Sequence, residues 1–101
     1  MFRFIRLRMK RAGKSKFDLA VIALVKQKRE KLGLSQDQLA EFLDTTAGYI
    51  GQVETPSTRS KYNLNHLNRL AYELNCSPKD FIPEKGFLEN IKSGRKKQKK
   101  G

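Results

Sequence analysis

Between residues 18 and 82, apolar residues recur at three- and four-residue spacings, and short polar clusters interrupt them. That pattern predicts a succession of short helices and no strands. Asp18 reads as an N-cap, and Ile22, Val25, Arg29 and Leu32 share one face of the helix that follows. Gly33 stops it. Ser35 and Gln38 have the spacing of a capping box and open a second helix carrying Leu39, Ala40 and Leu43. After the break Asp44-Thr45-Thr46, a third helix runs from Ala47 to about Glu54, capped by Thr46, with Ile50 and Val53 inward. Residues 55–62 form a loop around Pro56. Asn63 caps a fourth helix with Leu64, Leu67, Leu70, Ala71 and Leu74 on one stripe, and Asn75 suits a left-handed stop. Ser77-Pro78-Lys79-Asp80 starts a fifth helix, Phe81 and Ile82 close the core, and Pro83 ends it. The expected fold is a compact, all-α, five-helix domain. Residues 86–94 offer a further short helix with Phe87, Leu88 and Ile91 facing in.

Charge divides the chain into parts. Of 22 Lys and Arg, seven lie in residues 1–17 and five in residues 93–101, and neither stretch has an acid. The other ten basic residues share residues 18–92 with all ten acids, so the middle is neutral while the chain carries +12. We therefore expect a basic N-terminal arm (1–17), a globular domain (18–83) and a C-terminal extension ending in a flexible basic tail (84–101). Such a balance points to a polyanionic partner. The N-terminal arm alternates Ile5, Leu7 and Met9 with Arg6, Arg8 and Lys10. That period of two leaves open an edge strand across a dimer, a membrane-surface or RNA-binding arm, or residues lying ahead of a start at Met9.

Several classes of chemistry find no support. A single cysteine, Cys76, permits no intrachain disulfide and no thiolate metal site, and it reads as a small buried apolar residue. His66 has no second ligand at metal spacing. Ser35 and Ser77 read as caps and not nucleophiles, since nothing supplies a paired base. There is no glycine-rich phosphate loop, no small-molecule site and no apolar run of membrane-spanning length. The expectation is a cytoplasmic binding protein without cofactor, and not an enzyme.

Residues 36–53 carry the most information. They predict two short helices joined by a three-residue turn. Ala40 is small where the helices cross closely, and Asp44 sits where the backbone turns left-handed. Ile50 and Val53 plug the second of these helices into the core and leave the rest of it exposed. A DNA major groove is wide enough to admit such a helix.

The run Leu32-Gly33-Leu34-Ser35-Gln36-Asp37-Gln38-Leu39-Ala40, followed by Tyr49-Ile50-Gly51-Gln52-Val53-Glu54 and the late Ser77-Pro78-Lys79-Asp80-Phe81, resembles the lambda-repressor-like, Cro/XRE-type helix-turn-helix domain. The resemblance covers about residues 18–83. It implies a bacterial, phage or plasmid regulator that binds double-stranded operator DNA, usually as a homodimer. It also implies roles for individual residues. Gln36 contacts a phosphate and braces the recognition helix, and Thr46 lies near the DNA backbone. Ala47, Gly48 and Gln52 face base edges, and Tyr49 meets the backbone. Arg59 and Lys61 lie in a phosphate-gripping loop, and Arg29 and Glu54 form a partly buried salt bridge. Two features depart from the family pattern. Asp44 stands at the usual turn glycine, and Ala47, Gly48 and Gly51 make a small-sided recognition helix. Fewer side chains remain to bond bases, which shifts weight to phosphate contacts and DNA shape. Two other readings stay in play: nonspecific DNA or RNA binding through the arms, and an antitoxin-like or protein-interaction module.

Overall fold

Each helix among the described residues opens on a side-chain cap, which satisfies amide donors that a helix start leaves unpaired. The computed structural model describes residues 13–89. Ser15, Ser35, Thr46 and Asn63 cap the four α-helices: α1 (Lys16–Lys31), α2 (Gln36–Phe42), α3 (Ala47–Glu54) and α4 (Leu64–Glu73). At the start of α1 the cap is Ser15, three residues before the expected Asp18. The Ser15 hydroxyl accepts from the Asp18 N–H while the Asp18 carboxylate accepts from the Ser15 N–H, at 2.9 Å each. Asp18 is thus the far half of a capping box.

Three of the four helices end in the same way. Gly33, Asp44 and Asn75 have φ of 72°, 55° and 55°. The residue after each donates its N–H back into the helix: Leu34 to Arg29, Thr45 to Ala40 and Cys76 to Ala71, at 2.9–3.0 Å. This is the Schellman arrangement, and it explains why short polar residues replace glycine at two of the sites. Leu32, expected on the inner face of α1, is instead the C-cap and is 50% exposed. The left-handed step begins one residue later, so position 32 no longer follows the helical register.

The expected fifth helix is a single 3-10 turn, Pro78–Phe81, so the described residues hold four α-helices and one 3-10 turn. Pro83, two residues beyond Phe81, prevents continuation. Phe81 is fully buried, but Ile82, also expected in the core, lies exposed in an extended cap position. Residues 86–89 form no helix, so the expected helix over 86–94 does not begin where predicted, and 90–94 lie outside the described residues. The N-terminal alternation and the flexibility expected of the termini also lie outside them.

The core draws on every element: Val21, Ile22 and Val25 of α1, Leu39 and Ala40 of α2, Ile50 and Val53 of α3, Leu67, Leu70 and Ala71 of α4, with Tyr62 and Phe81. α3 packs chiefly on α2 and more lightly on α1, and the 3-10 turn wedges against α1 and α4. Leu64, expected on the inward stripe of α4, is 79% exposed. As the first residue of the helix, it sits at the rim of a groove of about 450 Å³ that Phe17, Ile22, Leu67 and Ile82 also line. Among the described residues, no helix is long and apolar enough to cross a membrane.

One charged group lies inside this core. Arg29 donates from Nε to Glu54 Oε2 and from Nη2 to Glu54 Oε1, both at 3.0 Å, and from Nη1 to the Leu34 carbonyl at 2.9 Å. The two side chains are only 11% and 6% exposed. Replacing Glu54 with Ala strands a buried guanidinium and is expected to cost about 3–5 kcal/mol, whereas Arg29→Met with Glu54→Leu is expected to cost much less. Urea melts of the two variants beside the parent check the difference; equal losses would mean that the pair is not buried in solution.

Candidate nucleic-acid interface

α3 is eight residues long, too short to hold its own shape, and it includes two glycines. Its position is imposed from three sides. Ile50 and Val53 are buried beneath it. Glu54, its last residue, is gripped by Arg29 and also accepts from Gln36 Nε2 at 3.0 Å. Its C-terminal carbonyls are met by a lysine. Lys14 Nζ donates to the Gln52 carbonyl at 3.2 Å, to the Val53 carbonyl at 2.8 Å and to the carbonyl of Thr55, and it lies 3.1 Å from Thr58 Oγ1. A cation at the carbonyl end of a helix is electrostatically favoured. Burial pulls the Lys14 ammonium below its ordinary pKa, and the Asp18 carboxylate opposes that shift.

The start of α3 faces the other way. Thr46 Oγ1 accepts from the Tyr49 N–H at 3.1 Å, and Thr46, Gly48 and Gln52 are exposed. Gln36 reaches across from α2, half-buried, and lies over Gly51: a Cβ there would meet Gln36 Oε1 at 3.6 Å. The Gln52 amide oxygen accepts from the Ser60 hydroxyl at 3.1 Å, which leaves its NH2 as the uncommitted donor end. Ala47 is half-buried. Tyr49, also half-buried, donates its hydroxyl proton to the Lys61 carbonyl at 2.7 Å, which ties α3 to the loop after it. Arg59 is exposed on that loop, and Lys61 pairs with Asp18 at 3.0 Å. Burial pushes the Asp18 carboxyl up, but hydrogen bonds from Ser15 and Lys61, together with the Lys61 charge, outweigh it and hold the group below its ordinary range.

The structure thus gathers Gln36, Thr46, Ala47, Gly48, Tyr49 and Gln52 around the exposed side of α3, and it sets Arg59 and Lys61 on the adjoining loop. Three participants had no place in the sequence argument. Ser15 left a signal, the Ser-x-x-Asp spacing of a capping box. Lys14 and Ser60 left none, because each acts across the fold from an unpatterned basic or polar stretch. Cys76, expected to be buried, is half-buried, and burial pushes its thiol up. Among the described residues, no three His, Cys, Asp or Glu side chains cluster as metal ligands do.

Two short helices meeting at a left-handed turn, with the second held against the core and its N-terminal side exposed, define a helix-turn-helix DNA-binding domain. The family model described as helix-turn-helix matches residues 25–81, more than half of the chain. The chain therefore belongs to the helix-turn-helix family of the Cro/C1, lambda-repressor-like type. No curated protein and no solved structure matches it.

Behind the site, His66 joins α4 to α3. Its Nδ1 accepts the Asn63 N–H at 3.1 Å, and its ring lies edge-on to both Tyr49 and Tyr62, with centroids 6.0 Å apart in each case. Burial lowers its pKa from the ordinary 6.5. The accepting nitrogen needs a lone pair, and a cation at a helix N-terminus is disfavoured, so the fold requires the neutral ring. The unfolded chain takes up a proton as pH falls through 6.5, and the folded chain resists it until lower pH. Stability contributed by His66 is therefore complete above 6.5 and declines below it. We expect the melting temperature to fall between about pH 7 and pH 5. His66→Gln, which keeps an acceptor at the same capping-box position, is expected to flatten that part of the profile. An unchanged slope in the variant would assign the effect to other groups.

Proposed function

We propose that this chain is a sequence-specific transcriptional regulator that docks α3 in the major groove of double-stranded DNA, acts in the bacterial cytoplasm and is not an enzyme. The carrying observation is the immobilisation of α3. Its last residue, its C-terminal carbonyls and its inner face are each held by a different part of the fold, while Thr46, Gly48 and Gln52 are exposed. A surface that presents few side chains can read sequence only if it is presented rigidly. Gln52 would contact a purine edge, pairing with adenine when its amide both donates and accepts. Gln36 has a second amide hydrogen beyond the one given to Glu54, and that hydrogen would serve a phosphate. Thr46, Tyr49, Arg59 and Lys61 would follow the backbone, Tyr49 after releasing the Lys61 carbonyl. Ala47 and Gly48 would allow close approach to bases or thymine methyls. A homodimer on a near-palindromic site would place two such helices about 34 Å apart.

Selection of the full chain against a random duplex library at about 150 mM salt, where surface attraction is strongly screened, tests this reading. We expect an enriched near-palindrome. Gln52→Ala should relax one position and weaken binding by about 5- to 150-fold, corresponding to about 1–3 kcal/mol. Gln36→Ala should weaken binding evenly across sequences. If the chain instead binds every duplex or RNA alike, the arms carry the activity; if it binds no nucleic acid, the domain serves protein contact.

The glycines supply a second test. A Cβ would meet only Thr46 Oγ1 at 3.7 Å from position 48, and nothing closer than Gln36 Oε1 from position 51. The fold therefore accommodates alanine at both. Gly48→Ala and Gly51→Ala should each stabilise the domain by about 0.5–1 kcal/mol in a thermal melt. Gly48→Ala should nonetheless weaken DNA binding. Added stability with unchanged affinity would remove close backbone approach at residue 48 from the mechanism.

A further inference from the structure

Gly48 and Gln52 are the exposed residues of α3, and of the two only Gln52 has a side chain. Gly48 stands one helical turn before it, so α3 itself offers no side chain to steady the amide from that side. Among the described residues the Gln52 amide has one hydrogen-bond partner, the half-buried Ser60, whose hydroxyl donates to Oε1 at 3.1 Å. The backbone on both sides of this contact is held. The Gln52 carbonyl accepts from the Thr55 N–H at 3.1 Å, from Lys14 Nζ at 3.2 Å and from the Thr58 hydroxyl. Lys61, directly after Ser60, gives its carbonyl to the Tyr49 hydroxyl at 2.7 Å and its ammonium to Asp18 at 3.0 Å. Ser60 thus lies on a stretch tied down at Thr58 on one side and at Lys61 on the other.

We propose that Ser60 decides which base pair Gln52 reads: by holding the amide oxygen toward the loop, it makes Gln52 a donor-only reader that selects guanine over adenine. The proposal rests on the reading of α3 as the helix that enters the major groove. A primary amide accepts at one end and donates two hydrogens at the other. Adenine shows an acceptor, N7, beside a donor, N6, and an amide matches that edge by presenting both of its ends. Guanine shows two acceptors, N7 and O6, and an amide oxygen turned toward either meets another acceptor. With Oε1 held by Ser60, the NH2 is the end left for the base, and its two hydrogens match the two acceptors of guanine. To pair with adenine, the amide has to swing its oxygen toward the base and leave the Ser60 hydroxyl. That exchange spends a hydrogen bond to make one, so the adenine contact loses its advantage. Ser60 acts through Gln52 and touches no base, which makes it a positioning residue.

The test is duplex selection by the full chain, by Ser60→Ala and by Ser60→Thr, at about 150 mM salt. The position that Gln52→Ala relaxes is the one Gln52 reads. We expect the parent to select a G·C pair there. Ser60→Ala releases the amide and should shift the preference at that position toward A·T by about 5-fold or more, with the other positions unchanged. Ser60→Thr keeps a hydroxyl donor and should keep G·C. A second measurement does not depend on any variant of Ser60. A guanine analogue with carbon in place of N7, set at that position, should weaken the parent by about 5-fold or more and leave Gln52→Ala unaffected. Melting curves confirm that each variant is folded. Three results would overturn the role of Ser60 while leaving the DNA reading intact. One is an A·T pair selected by the parent at that position. Another is indifference to the guanine analogue, which would mean that the amide oxygen reads cytosine instead. The third is a loss of affinity in Ser60→Ala that is even across sequences, which would make Ser60 a phosphate contact. Failure of the parent to select any duplex, or no position relaxed by Gln52→Ala, would overturn this inference together with the reading of α3 on which it rests.

Discussion

The planar fork of Arg29 is the constraint on which the rest of the arrangement depends. One guanidinium joins three pieces of chain: the end of α1 that carries it, the Leu34 carbonyl that leads into α2, and Glu54 at the end of α3. Leu34 also donates its own N–H to the Arg29 carbonyl. A lysine could not do this, because its ammonium lacks the fixed two-pronged geometry that matches a carboxylate. The pair is not an obvious source of net stability, since removing two charges from water costs about as much as their attraction returns. What it supplies is position. A short, glycine-bearing helix can slide or rotate on an apolar bed of Ile50 and Val53. It cannot do so while its final carboxylate accepts hydrogen bonds from Arg29 and Gln36 together.

The same requirement accounts for how each end of α3 is treated. Its partial negative charge collects at Gln52, Val53 and Thr55, and Lys14 is placed there. Its partial positive charge lies at Thr46 and Ala47, on the exposed side, where an incoming phosphate would be favoured. The helix is thus neutralised at the end that faces the protein and left uncompensated at the end proposed to face DNA. Tyr62 lies in the core beneath. Its hydroxyl is buried, with no hydrogen-bond partner among the described residues, and burial, reinforced by the Glu54 carboxylate, drives its pKa far up, so the phenol stays protonated.

Much of this was legible in the sequence wherever the signal is local. Ser35 with Gln38, Thr46 and Asn63 announce helix starts through side chains acting three residues away, and Gly33, Asp44 and Asn75 announce stops through backbone preference alone. Spacing also identified Val25, Leu39, Ile50, Val53, Leu67 and Leu70 as core. It failed at the ends of helices, where a residue keeps the spacing of a stripe without sharing its direction. Leu32 and Leu64 are the two cases, one a C-cap and one a first residue. The Asp18 reading failed for a related reason: both members of a capping box are plausible caps, and the spacing alone does not say which residue leads. The Arg29–Glu54 pair came from family resemblance, because a separation of 25 residues carries no local sign of it. Lys14, Ser60 and Glu89 had neither periodicity nor resemblance to expose them. Their partners are 8 to 73 residues away in sequence, and only the closed fold brings them together.

The distribution of acids has a physical explanation of the same kind. A chain of +12 could place its carboxylates anywhere on the surface to moderate its charge. Here many of them serve the fold. Asp18 and Asp80 complete capping boxes, Glu54 anchors α3, Glu73 pairs with Arg69 at 2.8 Å, and Glu89 caps α1. An acid that accepts hydrogen bonds from backbone N–H groups or from a guanidinium has its field largely cancelled within a few ångströms. It contributes little repulsion to a polyanion passing outside. The neutral middle of the chain and the basic ends are therefore two aspects of one division. Half of the ten acids are engaged in building the domain, and twelve of the 22 basic residues lie in residues 1–17 and 93–101.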